Sequence, residues 1–226
     1  MVLGELVYPT LVYVHLLLFV LWLGADVGVF LLGQHFRKRH IYTLDQRIAL
    51  LKLLVIVDLV PRAAWALMVP VSLTVADAGN WWDLEPAGLV VAWSLGGAWL
   101  WLIFDAHKHD QTERAARDRR NENFLKAILT LFYLWLGIQS LLTAWPLAPI
   151  WLALKALAFG LIFLAAIMID ISFKPVGPQL VRLLKEGSSD ATEVPLRRTM
   201  DRTRIWVWVV YAMLIVTSYL GNVKPL

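Results

Sequence analysis

An all-α fold, a six-helix transmembrane bundle, is predicted by three observations. Of 226 residues, 59% are hydrophobic and only 17% are charged. The mean hydropathy is +0.64. Six separate apolar runs reach about 20 residues, the helical length that crosses a hydrocarbon core of about 30 Å. No linker is long or polar enough to separate two domains and no internal repeat is visible, so residues 1–226 read as a single integral membrane domain. The chain has no cysteine, which excludes disulfides, thiolate-ligated haem, cysteine-bound iron–sulfur clusters and thiol nucleophiles.

The first run, Tyr8 to Leu32, lacks a basic leader and an Ala-x-Ala site and is preceded by Glu5, so it reads as an uncleaved helix and not a signal peptide. Within it Gly24 and Gly28 form G-x-x-x-G, a spacing that predicts close helix packing. His15, Trp22 and Asp26, separated by seven and four residues, fall on one helical stripe that is expected to face inward. The second run, Ile48 to Val75, contains Pro61 and Pro70, which predict a kink. It also pairs Asp58 with Arg62 at i, i+4, the spacing of an intrahelical ion pair. Asp26 is expected within reach of Lys52. The third run, Gly88 to Phe104, carries Ser94 and the small pair Gly96 and Gly97; the fourth, Phe124 to Trp145, carries Gln139; the fifth, Pro149 to Phe173, carries Lys155. Pro178 to Lys185 predicts a short helix on the membrane surface, broken by Gly187-Ser-Ser-Asp190. The sixth run is Ile205 to Leu220. Trp81, Trp82, Trp145 and Trp151 flank runs and are assigned to the interfacial aromatic belt.

Basic residues divide sharply among the connections. The first holds Arg37, Lys38, Arg39 and Arg47, the third Lys108, Arg114, Arg117, Arg119 and Arg120, and the fifth Lys174 through Arg204, whereas Asp77–Glu85 and Trp145–Pro149 hold no Lys or Arg. The positive-inside rule then predicts cytoplasmic basic loops and an N-out/C-out topology. This explains the net charge of +4 without nucleic acid as a partner. The bilayer is the partner, with anionic lipid head groups at the cytoplasmic loops.

Three cations inside apolar runs, His15, Arg62 and Lys155, are the functional candidates, since a charge at membrane depth costs about 3 kcal/mol and usually faces a partner, cavity or cofactor. At about 1.5 Å per residue, His15 and Lys155 lie about 10 Å below the outer surface and Arg62 about 20 Å along its helix from that end. Gln139 and Ser94 fall in the same outer half. His15 reads either as a hydrogen-bonded interhelical histidine or as an axial ligand to one haem b, with Arg62 and Lys155 pairing with carboxylates. The other four histidines flank the cytoplasmic ends, so a two-haem wire on histidine alone is excluded. Lys155 and Met68 are candidates for the sixth position, and Trp22 for the cofactor wall. A competing metal set is Asp105, His107, His109 and Asp110, joined by His35 or His40, although H-x-H on a helix turns the two rings apart.

The stretch His15-Leu-Leu-Leu-Phe-Val-Leu-Trp22-Leu-Gly24 resembles the H-x(6)-W-x-G first helix shared by copper-resistance D-type membrane proteins, HemJ-type protoporphyrinogen oxidases and the membrane domain of bacterial urate-oxidising proteins. Trp151-Leu-Ala-Leu-Lys155 is similar to the Trp-then-Lys start of a later helix in several of them. The resemblance implies a bacterial inner-membrane bundle with His15 as a haem-ligand candidate and Lys155 as a functional residue. The chain departs from HemJ-type proteins in its six spans and in having Leu152 to Leu154 where they carry a histidine, and from urate-oxidising proteins in lacking C-x-x-C-H. Expected function is therefore membrane redox chemistry on one haem b or a similar anionic cofactor, with a redox partner or a second copy as associates. The alternatives are a small-anion or metal permease and a non-catalytic assembly subunit.

Overall fold

The computed structural model describes residues 3–225 and consists of helices and their connections. Eight helices are formed: α1 Leu3–Phe36, α2 Leu44–Val57, α3 Leu59–Ala78, α4 Pro86–Lys108, α5 Glu113–Thr143, α6 Ile150–Phe173, α7 Val176–Glu186 and α8 Asp190–Val223. Six stretches are long and apolar enough to span a membrane, with α2 and α3 making one of them. Large side chains such as Val20, Val90, Leu131, Leu142 and Ile215 point outward, as lipid contact requires.

The six spans close into a ring in the order α1, α3, α4, α5, α6, α8, each packed on the next. The ring shuts where Tyr211 of α8 donates to the Asp26 carbonyl of α1 at 3.0 Å and Phe30 packs edge-on to Trp208. Asp26 makes no ion pair with Lys52 among the described residues, a correction to the expected pairing. The helix break in the second span falls at Asp58, three residues before Pro61. Pro61 removes the N–H that the Val57 carbonyl needs and Pro70 the one that Ala66 needs, yet the helix breaks only beside Pro61 and runs on through Pro70.

Close packing also differs from the G-x-x-x-G expectation. A Cβ at Gly24 would meet nothing within 4 Å, and one at Gly28 only Val57 at 3.9 Å. The tight crossing is α5 on α6, where a Cβ on Gly137 would lie 2.7 Å from Leu157 backbone nitrogen and one on Gly160 3.0 Å from Leu134 nitrogen. Gly96 does admit close packing, of α4 on Pro70 at 2.8 Å, while Gly97 faces open space. The predicted surface helix forms as α7, which lays Val176, Leu180 and Leu183 against Phe36 and Leu196. The basic segment before Phe124 is helical, not a loop, because α5 begins at Glu113, with Thr112 accepting from the Ala115 N–H.

Candidate functional site

Three layers stack along the axis of the ring. At the end where α3 meets α4 and α5 meets α6, a cavity of about 170 Å³ opens among α1, α3, α6 and α8. His15, Trp22, Met68 and Lys155 all line it, as do Trp81, Trp82, Trp151 and Lys224. Across it Lys155 Nζ lies 3.4 Å from His15 Nε2. An ammonium has donors only, so Nε2 accepts and the imidazole proton sits on Nδ1. That Nδ1 is buried and has no partner among the described residues, and neither has the hydroxyl of Tyr133 in the same wall. No carboxylate among the described residues lines the cavity.

Lysine and glycine fit each other closely here. A Cβ on Gly221 of α8 would lie 2.5 Å from Lys155 Nζ, so the missing side chain is the space the ammonium occupies. Lys224, just beyond α8, holds its ammonium 4.7 Å from the Trp81 ring and 5.5 Å from that of Trp151, two cation–π contacts at the cavity mouth. The belt assignment is thereby corrected: Trp151 is buried, and Trp81 packs edge-on between it and Tyr8. Only Trp145 of the four is strongly exposed, at 64%. Ser94 is exposed and Gln139 bonds Thr143, so neither joins the cavity as expected.

Below the cavity lies an aromatic layer to which α1, α3, α4, α5 and α6 each contribute. Trp22 stacks on Trp65 with centroids 5.4 Å apart, Trp65 meets Trp99 at 4.9 Å and Phe163 at 4.8 Å, and Tyr133 lies parallel to Phe163. The stripe from His15 to Trp22 does face inward, and Trp22 is its buried member.

Beneath the aromatics, toward the basic end, is a buried ion network. Arg62 pairs with Glu122, and Asp58 stands 3.8 Å from Arg62. Lys126 reaches Glu122 at 3.1 Å and Asp170 at 3.0 Å. Trp99 Nε1 donates to Glu122 at 3.2 Å, and the Lys126 ammonium lies 5.6 Å from the Trp65 ring. Arg62 therefore does not line the cavity as an electrostatic partner of His15; its charge is taken by Glu122, which lies before the apolar run that begins at Phe124. The signal for it was the i, i+4 spacing of Glu122 and Lys126. Lys224 and Gly221 gave no comparable signal, since each is defined by what α6 brings to it.

The metal set expected at the basic end does not assemble. Asp105 accepts two hydrogen bonds of 2.6 Å from Arg114, and His35 Nδ1 bonds the Tyr42 hydroxyl at 2.8 Å. Asp110 is partly desolvated, which pushes its pKa up, but hydrogen bonds from Gln111 and Arg119 outweigh this and hold it below the usual carboxylate range. No group of three metal-capable side chains occurs among the described residues.

What this geometry defines is a multi-pass membrane protein with one basic, aromatic-walled cavity and a separate ion network. No family model matches the chain, and no curated protein or solved structure matches it.

Proposed function

We propose that the cavity binds an anionic, amphipathic cofactor, with haem b the leading candidate, and that the protein serves membrane redox chemistry. In this reading the basic end is cytoplasmic, both termini lie outside and the membrane is the bacterial inner membrane, as the Lys and Arg asymmetry of the connections supports. The observation that carries the reading is the approach of Lys155 to His15 in a cavity with two ammonium groups and no carboxylate among the described residues.

The donor set fits such a group. His15 would offer Nε2 to iron once Lys155 turned from it toward a carboxylate, Lys155 and Lys224 would offer charge to carboxylates, and the indoles offer flat apolar walls. Met68, buried in the same wall, remains a sixth-ligand candidate. The enclosed space is about 170 Å³, below the about 300–1,000 Å³ of sites that surround a drug-sized ligand. A tetrapyrrole held through His15 must therefore leave an edge in the open mouth near Trp81 and Lys224. When bound, haem supplies one-electron chemistry. The chain's own residues hold the carboxylates, keep water out through the aromatic layer and orient the imidazole.

A second reading is favoured by one observation, the contact itself, because an ammonium already resting on Nε2 also suits a binding cavity for a small anion without iron. Extraction and mass spectrometry of the molecule retained on the purified protein separates the two. A retained tetrapyrrole supports the first. A colourless protein stabilised by a small carboxylate or phosphate, with the effect lost in Lys155→Met, supports the second and rejects the first.

A further inference from the structure

A second pocket, of about 160 Å³, sits at the opposite end of the molecule, where the C-terminal end of α1, the start of α2 and the first turns of α8 converge. We propose that it is a binding site for a phosphate group. Five formal cations line it, Arg37, Lys38, Arg39, Arg47 and Arg197, against two carboxylates, Asp190 and Glu193.

Both carboxylates are already committed. Arg47 grips Glu193 through two hydrogen bonds of 2.5 and 2.9 Å, and Ser188 donates to the same carboxylate at 2.6 Å. Arg39 takes Asp190 at 2.5 Å. Arg47 is itself a strut: it is 1% exposed, and its Nε donates to the Phe36 carbonyl at 2.6 Å. What remains is uncompensated positive charge. Lys38 and Arg197 form no ion pair among the described residues. Arg37 reaches Asp201 and Gln34 with its terminal nitrogens, yet its Nε is buried without a partner.

The two cations without an ion pair, Lys38 and Arg197, come from two separate segments, so they converge on a pocket and not along one helix face. Guanidinium groups suit the several oxygens of a phosphate, which accept from donors that do not share a plane. Phosphate reaches such a place from two sources, a phospholipid head group at the membrane surface or a free phosphate or phosphomonoester.

The test uses full-length protein and follows its thermal unfolding midpoint in two arms. In mild non-ionic detergent, inorganic phosphate is titrated against sodium chloride at matched ionic strength. In nanodiscs, phosphatidylcholine alone is compared with phosphatidylcholine containing phosphatidylglycerol. Lys38→Gln, Arg197→Gln and the double variant are run beside wild type; none breaks an ion pair among the described residues, and the single variants serve if the double one is unstable. A saturable rise with phosphate assigns the free anion, and a rise only with phosphatidylglycerol assigns the head group. Either supports the proposal if the apparent affinity falls on the order of tenfold in the double variant or severalfold in the singles. No rise in either arm, an equal rise with chloride, or a wild-type response in all variants overturns it.

Discussion

His15 and Lys155 present a hydrogen-bond account that does not balance within the chain. The ammonium has three protons and the structure gives it one partner, Nε2, while the imidazole Nδ1 has none. A buried polar group without a partner costs about 1–3 kcal/mol, so the pair is strained in favour of a ligand with acceptor atoms. Lys155→Met removes the charge and keeps much of the stem; it is expected to lower ligand occupancy on the order of tenfold while leaving the thermal midpoint unchanged or raised. Gly221→Ala asks the question from the other side. The new methyl would fall 2.5 Å from the ammonium, and the flexible lysine, not the backbone, gives way. Alanine in a helix is better than glycine by about 1 kcal/mol. The expected outcome is an unchanged or higher midpoint with severalfold weaker binding, checked by calorimetric unfolding and ligand titration. A fall in stability with intact binding contradicts this role for Gly221. At this scale the sequence picked out His15, Lys155, Trp22 and Met68, which line one cavity, because an ionisable or bulky residue in an apolar run is visible in one dimension. Lys224 and Gly221 were illegible, since nothing in the chain near either says that α6 will bring Lys155 to Gly221, or that Trp81 of the α3–α4 connection and Trp151 of α6 will meet Lys224.

Among the elements, the α5–α6 crossing depends on paired absences of side chain. Gly137 meets Leu157 and Gly160 meets Leu134, so backbone lies against backbone at two levels one turn apart. Gly137→Ala is expected to destabilise by about 1–3 kcal/mol, the usual range for overpacking, whereas Gly24→Ala is expected to be neutral or stabilising. Reversible unfolding in mixed detergent micelles measures both. Equal effects at the two positions contradict the assignment. The G-x-x-x-G of α1 misled because spacing reports a helix face and not what packs on it. The kink was legible from the two prolines, but its location was not, because each removes one helix N–H and α3 nevertheless runs on through Pro70. The short helix of the fifth connection, α7, was legible because its apolar residues recur with helical period and a Gly-Ser stretch ends it.

For the molecule as a whole, the aromatic layer divides the ring into two polar compartments with different tasks. The network of Asp58, Arg62, Glu122, Lys126 and Asp170 is internally paired and holds the basic half together. Glu122 is 3% exposed and contacts Arg62, Lys126 and Trp99 at once. Glu122→Gln leaves Arg62 with only Asp58 and Lys126 with only Asp170 and is expected to cost about 3 kcal/mol, the lower end for a broken buried pair. Because Trp65, Trp99 and Phe163 stand between, ligand affinity at the cavity should change less than twofold. A variant that binds tenfold more weakly but unfolds like wild type contradicts this division. The six spans and the sorting of charge were readable from composition and periodicity. The separation of Arg62 from His15 was not, because helix depth is one coordinate and rotation about the axis is another. Single cysteines at Asp83 and Asn121 test the sidedness directly in a chain without native cysteine: an impermeant maleimide added outside spheroplasts is expected to label Asp83→Cys and spare Asn121→Cys, and the reverse pattern inverts the topology.

The central claim is that an anionic redox cofactor is held at His15. The most direct measurement is the reduced-minus-oxidised visible spectrum of the purified protein beside its His15→Ala variant. A haem b signal in wild type that is lost in His15→Ala, with the variant still folded, is the result predicted. No signal in wild type prepared with haem supplied, or a variant that retains the full signal, contradicts it.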